Sequence, residues 1–161
     1  RHGFLHGFDE TSPHRKTLRA RRVFCSNRHR RPGCGRTFSV WLADKIRRLS
    51  VTTRGLLRFL TRVVADGIAS AIRASSIRAA DHHHLSQRTW QRVWRRFDHA
   101  QSAIRTAMSG YGPPPNAPPD SPPTSSRRPQ AAHVLAHLQA AFPSADCPIA
   151  AFQQATGRFF V

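Results

Sequence analysis

The chain has 161 residues, which is enough for one ordinary domain or two small modules and excludes a large multidomain enzyme. It contains 26 Lys and Arg against 8 Asp and Glu, so its formal net charge is +18. Such an excess of cations attracts polyanions, and the composition therefore favours nucleic acid as the partner.

Arginine dominates these cations, because Lys16 and Lys45 are the lysines of the chain. GC-rich coding DNA favours arginine codons whatever the function of a protein, but it does not account for the scarcity of acids. The charge therefore indicates nucleic-acid binding more strongly than it indicates codon usage.

The sequence also bears on location. No apolar run approaches the ~18 residues needed to cross a bilayer, and no secretory leader pattern is found. We therefore expect a prokaryotic protein that is cytoplasmic, associated with the nucleoid and without a membrane partner. The sequence starts at Arg1 rather than at a methionine, and we expect that the natural N-terminus has been lost.

Residues 1–43 are expected to form a small β element. Two stretches, Thr17–Cys25 and Arg36–Leu42, contain the β-branched and aromatic residues typical of strands. The stretch between them, Arg31–Gly35, is rich in turn-forming residues. We predict two strands joined by a knuckle-like loop.

Residues 44–108 are expected to form a domain of three helices. In the first, apolar residues recur every three or four positions, at Leu56, Leu57, Leu60, Val63 and Val64. Thr52 or Thr53 is suited to cap its N-terminus, and Gly67 to end it. A second helix is predicted over Ile68–Ile77. The next stretch, Arg78–Leu85, contains three adjacent histidines, and we interpret it as a loop rather than a metal site.

The third helix follows Ser86, covers Gln87–His99 and can extend to Met108. At about 100° per residue, its apolar side chains share one sector; they are Trp90, Val93, Trp94, Phe97 and Ile104. The opposite face is basic and free of acids, as in helices that contact phosphates and base edges in a major groove. An ordinary solvated face is the alternative. The predicted nucleic-acid-binding residues are Gln87, Arg88, Gln91, Arg92, Arg95 and Arg96, with Arg36 from the β element and His99 beside them.

Residues 109–129 contain eight of the twelve prolines and are predicted to form a semi-rigid linker. Residues 130–161 resume a helical pattern and are expected to form a short C-terminal tail apart from the helical domain. The apolar residues of this tail are Val134, Leu135, Leu138, Phe142, Phe152, Phe159 and Phe160.

Two cysteines lie close together in the β element. The pattern consists of Arg22-Val-Phe-Cys25 and then Cys34-Gly-Arg-Thr-Phe38-Ser39, and it resembles the second knuckle of the zinc ribbons at the N-terminus of insertion-sequence transposases. The resemblance implies a helix-turn-helix after the ribbon, and it implies that Cys25 and Cys34 form half of a zinc site. The other half would be a C-x-x-C pair before His2. Eight residues separate the two cysteines, more than is usual in those ribbons.

The metal content of the β element stays open at this point. Four ligands close a structural zinc site, and one cysteine pair supplies only two of them. Histidines from the same segment are alternative ligands; they are His2, His6, His14 and His29. A ribbon that has lost zinc, or two unrelated thiols, explain the same sequence. Zinc is therefore expected only in the full-length protein, with no other cofactor.

Enzymatic activity is not expected. Transposase catalysis needs three carboxylates that hold two metal ions on a sheet, and the acids of this chain are scattered over predicted loops and helices. The Gly-rich and HExxH patterns of other catalytic sites are also missing from the sequence.

We thus predict a mainly α protein. A zinc-ribbon-like β element precedes a three-helix, helix-turn-helix-type module, a Pro-rich linker and a C-terminal helical tail. The expected function is binding of double-stranded DNA, as in the recognition region of a transposase, with a transposase subunit or a second copy as protein partner. The alternatives are an RNA-associated basic protein and an adaptor that uses the Pro-rich segment.

The single, widely spaced cysteine pair leads to a prediction about metal content. The purified chain should bind zinc weakly or not at all, because two thiolates leave half of the tetrahedron unfilled. Elemental analysis after treatment with a chelator measures this. A stoichiometric zinc ion that resists the chelator would show that histidines complete the site.

Overall fold

A computed structural model of the protein describes residues 3–27, 32–76, 85–112, 115 and 128–161. Within these ranges, a three-stranded antiparallel sheet precedes five α-helices. The expectation of a mainly α protein with a small β element is confirmed at this level. No helix in the described ranges combines the length and the apolar character that spanning a bilayer requires.

The sheet consists of β1 (Phe4–Asp9), β2 (Ser12–Phe24) and β3 (Thr37–Trp41), in that order. The two predicted strands correspond to β2 and β3, which pair antiparallel in a register that places Val23 opposite Phe38. Strand β2 begins five residues earlier than predicted because it also pairs with β1, a strand that the sequence pattern did not predict.

A β-bulge in β2 directs Arg19 into the protein. Leu5 pairs with Ala20 and the next residue of β1 pairs with Leu18, so Arg19 is the extra residue. A bulge turns its extra side chain away from the normal alternation. The Arg19 guanidinium donates to the carbonyl oxygens of Phe8 and Ile46, each at 2.9 Å, and to that of Leu49. It thereby fastens the sheet to the segment that precedes the first helix.

The helices are α1 (Thr53–Asp66), α2 (Ile68–Ser76), α3 (Gln87–Met108), α4 (Arg128–Ala141) and α5 (Pro148–Thr156). Thr52 caps α1 by accepting a hydrogen bond from the Gly55 amide, and Ser86 caps α3 in the same way from Thr89. Gly67 ends α1 with a positive φ of 86°. These boundaries agree with the predicted ones, while residues 77–84, with the three histidines, lie outside the described residues.

The C-terminal segment packs into the same core as α1 and α3. Its buried side chains join one apolar cluster with the helical domain; they are Ala131, Val134, Leu135, Leu138, Ile149, Phe152, Phe160 and Val161. The ring of Phe160 stacks on Phe97 with centroids 6.0 Å apart. The C-terminal segment was expected to be a tail apart from the helical domain, but it packs into the core of that domain. Most of the Pro-rich linker lies outside the described residues.

Asp9 and Glu10 join the hairpin to the start of α1. The Asp9 carboxylate, fully buried, accepts from the Lys45 ammonium at 2.8 Å and from the Thr17 hydroxyl at 2.9 Å. Glu10 accepts from the Thr52 amide at 2.9 Å and from the Thr52 hydroxyl. The hairpin turn thus fixes the N-terminal end of the helical body.

Phe160 tests whether the C-terminal segment belongs to the core. Replacing this fully buried ring by Ala should lower the free energy of unfolding by about 3–5 kcal/mol, because the side chain leaves a cavity against Phe97 and Phe152. Phe159 is the matched control: its ring is 39% exposed, and Phe159→Ala should cost no more than about 1 kcal/mol. Urea denaturation of both variants measures the difference, and equal costs would contradict the packing.

Asp9 should make the stability depend on pH. Burial alone would raise the pKa of Asp9, but hydrogen bonds from Lys45, Thr11 and Thr17 outweigh burial and hold that pKa well below its ordinary value. A lowered pKa in the folded state stabilises the protein above the pKa of the unfolded chain, about 3.9, and this contribution is lost as the pH falls further. The free energy of unfolding should therefore decrease below about pH 4, and the decrease should be shallower in Asp9→Asn.

Asp44→Asn is the control for this experiment. The Asp44 carboxylate also contacts Lys45, at 3.2 Å, but it is 59% exposed. Denaturant titrations between about pH 7 and about pH 2 compare both variants with the parent, and Asp9→Asn should have the shallowest slope. A slope in Asp9→Asn as steep as that of the parent would place the acid sensitivity elsewhere.

Candidate nucleic-acid interface

Helix α3 has one buried face, and the tryptophans belong to it. Trp90 stacks on Phe59 with centroids 4.7 Å apart, and its indole N–H donates to the Ser75 carbonyl oxygen at 2.9 Å. Trp94 packs on Phe97 at 5.6 Å. The predicted packing sector is confirmed, since all five of its residues are buried. The Trp90 indole thus holds α3 against α1 and α2, and neither indole is accessible for base stacking.

The opposite face of α3 is exposed and basic. Arg88, Arg92, Arg95 and His99 follow one another at helical spacing, and each of them is exposed. The nearest acid on the helix, Asp98, lies to one side of this row and accepts from the Gln101 amide at 3.3 Å. We call the row of four the α3 basic face. The row itself contains no carboxylate, so its net positive potential attracts anions.

The two predicted glutamines lie at the N-terminal end of α3, beside α2. Gln87 and Gln91 are exposed and line a cleft of about 400 Å³ together with Arg73 of α2. The cleft lies between α2 and the start of α3, so polar side chains of both helices are accessible from it.

Arg96 differs from the prediction. It lies at the edge of the α3 basic face, is partly buried, and donates to the Arg47 carbonyl oxygen at 3.1 Å. Burial, and then the charges of Arg48 and Arg47, lower the pKa of Arg96. Its first role is therefore to hold the turn at residues 47 and 48 against α3. Sequence reasoning did not identify Arg47 and Arg48, since nothing in a helical periodicity links a turn to a helix about fifty residues later.

The turn itself is strained. Arg48 has a φ of +60°, the only positive value at a non-glycine residue in the described part of the chain. A side chain in this region costs of order 1 kcal/mol or more, and such residues cluster at functional sites. Both Arg47 and Arg48 are exposed. The turn thus presents two further cations next to the α3 basic face, at the cost of backbone strain.

A second cleft, of about 480 Å³, lies between α1 and α5 and has mixed charge. It is lined by Arg54 and Arg58 but also by Asp44 and Asp146, and Arg54 lies 3.9 Å from Asp146. Its potential is therefore weaker than that of the α3 basic face, although the number of arginines is similar.

Arg36 and the two cysteines lie in the connection between β2 and β3. Arg36 is exposed just before β3, and its carbonyl oxygen accepts from the Cys25 amide at 2.8 Å. The Cys34 amide donates to the Cys25 sulfur at 3.3 Å, so the structure brings the two cysteines together. In the described ranges, no third Cys, His, Asp or Glu joins them in a metal-binding group. His2 and His29 lie outside those ranges.

Comparisons with protein families, curated proteins and solved structures find no match to this chain. The chemistry of its surface is therefore the guide to its function.

Proposed function

We propose that this protein binds double-stranded DNA by placing the α3 basic face in the major groove. The observation that supports this most directly is the separation of the two faces of α3. Trp90, Trp94 and Phe97 fix the helix from behind, while the opposite row is exposed and consists of Arg88, Arg92, Arg95 and His99, with Asp98 at its side. An α-helix with side chains is about 10–12 Å wide and fits a major groove about 12 Å wide.

The chemistry of the exposed side chains suits the two kinds of contact that duplex recognition needs. Arginine binds phosphates or the O6 and N7 atoms of guanine through two parallel hydrogen bonds, and glutamine pairs with adenine. Gln87 and Gln91 can act as base readers at the end of α3 that enters the groove. The strained turn supplies Arg47 and Arg48 for the adjacent phosphates, which position a protein without reading sequence.

Helices α2 and α3 would act as the two helices of a helix-turn-helix. The hydrogen bond from the Trp90 indole to the Ser75 carbonyl oxygen joins the end of α2 to the start of α3. This contact supports a fixed angle between the two helices. The resemblance of the cysteine pattern to transposase zinc ribbons supports a role as a recognition region that acts with a transposase subunit or a second copy. The Cys25 and Cys34 pair would then supply half of a zinc site.

Two variants that lose the same amount of charge, one on α3 and one on α1, test the proposal. The triple variant Arg88→Gln, Arg92→Gln, Arg95→Gln should stay folded and bind duplex DNA roughly 100-fold more weakly or worse at about 0.1 M salt. The slope of log affinity against log salt should fall by about one for each phosphate that an arginine no longer neutralises. If Arg92 instead reads guanine, Arg92→Ala should lose about 1–3 kcal/mol of discrimination at one base pair.

The control is a second triple variant with the same reduction of charge. Arg54, Arg58 and Arg62 form an exposed row on α1, and replacing them with Gln should weaken duplex binding far less. Titrations of labelled duplex at several salt concentrations compare the two variants. If the α1 variant binds more weakly than the α3 variant, or if both leave the salt slope unchanged, α3 is not the recognition element.

A further inference from the structure

One face of the sheet is exposed along all three strands. Alternation along β1 places Phe4, His6 and Phe8 on this face, while Leu5 is half-buried and Asp9 is buried on the other. The register adds side chains from β2 and β3: Phe4 pairs with Arg21, Arg21 with Val40, and Val23 with Phe38. We call this surface the outer sheet face; its members are Phe4, His6, Phe8, Arg21, Val23, Phe38 and Val40, with Lys16 beyond the bulge.

Aromatic rings on the outer sheet face are open to solvent. Phe4, Phe8 and Phe38 are 55%, 44% and 50% exposed. Phe4 lies on one edge strand and Phe38 on the other, two strand spacings apart, about 10 Å. A sheet face with three such exposed rings is unusual, because large apolar side chains are normally buried or matched to a partner.

Cations lie beside these rings. The Lys16 ammonium is 5.9 Å from the centre of the Phe8 ring, and the Arg21 guanidinium is 5.9 Å from that of Phe4. The acids of the hairpin are directed elsewhere: Asp9 is buried on the opposite face, and Glu10 is bonded to Thr52. Among the residues that the structure describes, the members of the outer sheet face therefore combine apolar rings with cations and include no acid.

We propose that the outer sheet face binds single-stranded DNA, with unpaired bases stacked on Phe4, Phe8 and Phe38 and phosphates bound by Lys16 and Arg21. Aromatic rings on a sheet, interleaved with cations, suit this ligand because every base has a flat face and every linkage has a negative charge. Paired bases do not offer their faces, so duplex DNA cannot use these rings. The choice of DNA rather than RNA as the ligand rests on the function proposed above. The proposal of a single-strand site on this face does not depend on that function.

A second copy of the chain fits this surface poorly. Packing two outer sheet faces together would bring Lys16 and Arg21 of both copies into a low-dielectric interface without a carboxylate to pair with them. A polyanion with apolar flat groups satisfies both the rings and the charges. This complementarity decides in favour of a nucleic-acid strand over self-association.

Binding of a labelled 20-nucleotide oligo-dT to the full chain tests the site. The double variant Phe4→Thr, Phe38→Thr keeps β-forming residues and should bind this probe about tenfold more weakly or worse, with an unchanged salt slope, since stacking is not electrostatic. Arg21→Gln should instead lower the salt slope by about 0.7, the value for one phosphate of a single strand.

Phe24→Thr is the matched control. Phe24 is 46% exposed, like the rings of the site, but it pairs with Thr37 on the opposite face of β2. The Phe24→Thr variant should therefore bind oligo-dT as tightly as the parent. Phe38→Trp guards against loss of folding, because it should bind the probe at least as tightly as the parent, with quenching of the new indole fluorescence.

The two proposals fail separately. The α3 triple variant should lose duplex binding and keep oligo-dT binding, and the Phe4 and Phe38 double variant should show the reverse. The outer-face proposal is overturned if the double variant and the Phe24 variant bind oligo-dT equally. It is also overturned if oligo-U RNA binds at least tenfold more tightly than oligo-dT, or if the double variant changes the oligomeric state of the protein.

Discussion

A buried carboxylate at the tip of the first hairpin joins the two halves of the protein. Asp9 is shielded from solvent, and Lys45 donates to it from the segment that leads into α1. A buried ion pair is tolerated only where geometry and further hydrogen bonds compensate for the missing hydration, and here Thr11 and Thr17 supply them. The orientation of the sheet relative to the helices follows from this pair and from the Arg19 guanidinium beside it.

The helices were largely predictable because their signals are local. Thr52 and Ser86 cap helices where the sequence places caps, and the buried sector of α3 follows directly from spacing. Strand β1 was missed because its alternation is short and interrupted by Gly7. The C-terminal segment was misplaced because its packing depends on long-range contacts. The Gln153 side chain, for example, donates to the Ala43 carbonyl oxygen at 2.7 Å, and no pattern in the sequence connects these positions.

The exposed face of α3 could be predicted from the sequence for the same reason as its buried face. The spacing that buries Trp90 and Trp94 leaves Arg88, Arg92 and Arg95 outside. Arg96 shows the limit of this reasoning, because a residue at the edge of a face is directed by the element that packs there. The outer sheet face required the strand register: only pairing reveals that Phe4 and Phe38, more than thirty residues apart, lie on one side of the same sheet.

The scarcity of lysine has a consequence for chemical labelling. Lys45 is buried in its ion pair, so its amine cannot react readily, whereas Lys16 is exposed beside Phe8. An amine-reactive reagent therefore has one accessible lysine side chain in the part of the chain that the structure describes. A fluorophore attached there would report on the immediate surroundings of the outer sheet face. Acylation by the same reagent removes the positive charge of this lysine and leaves every arginine of α3 intact.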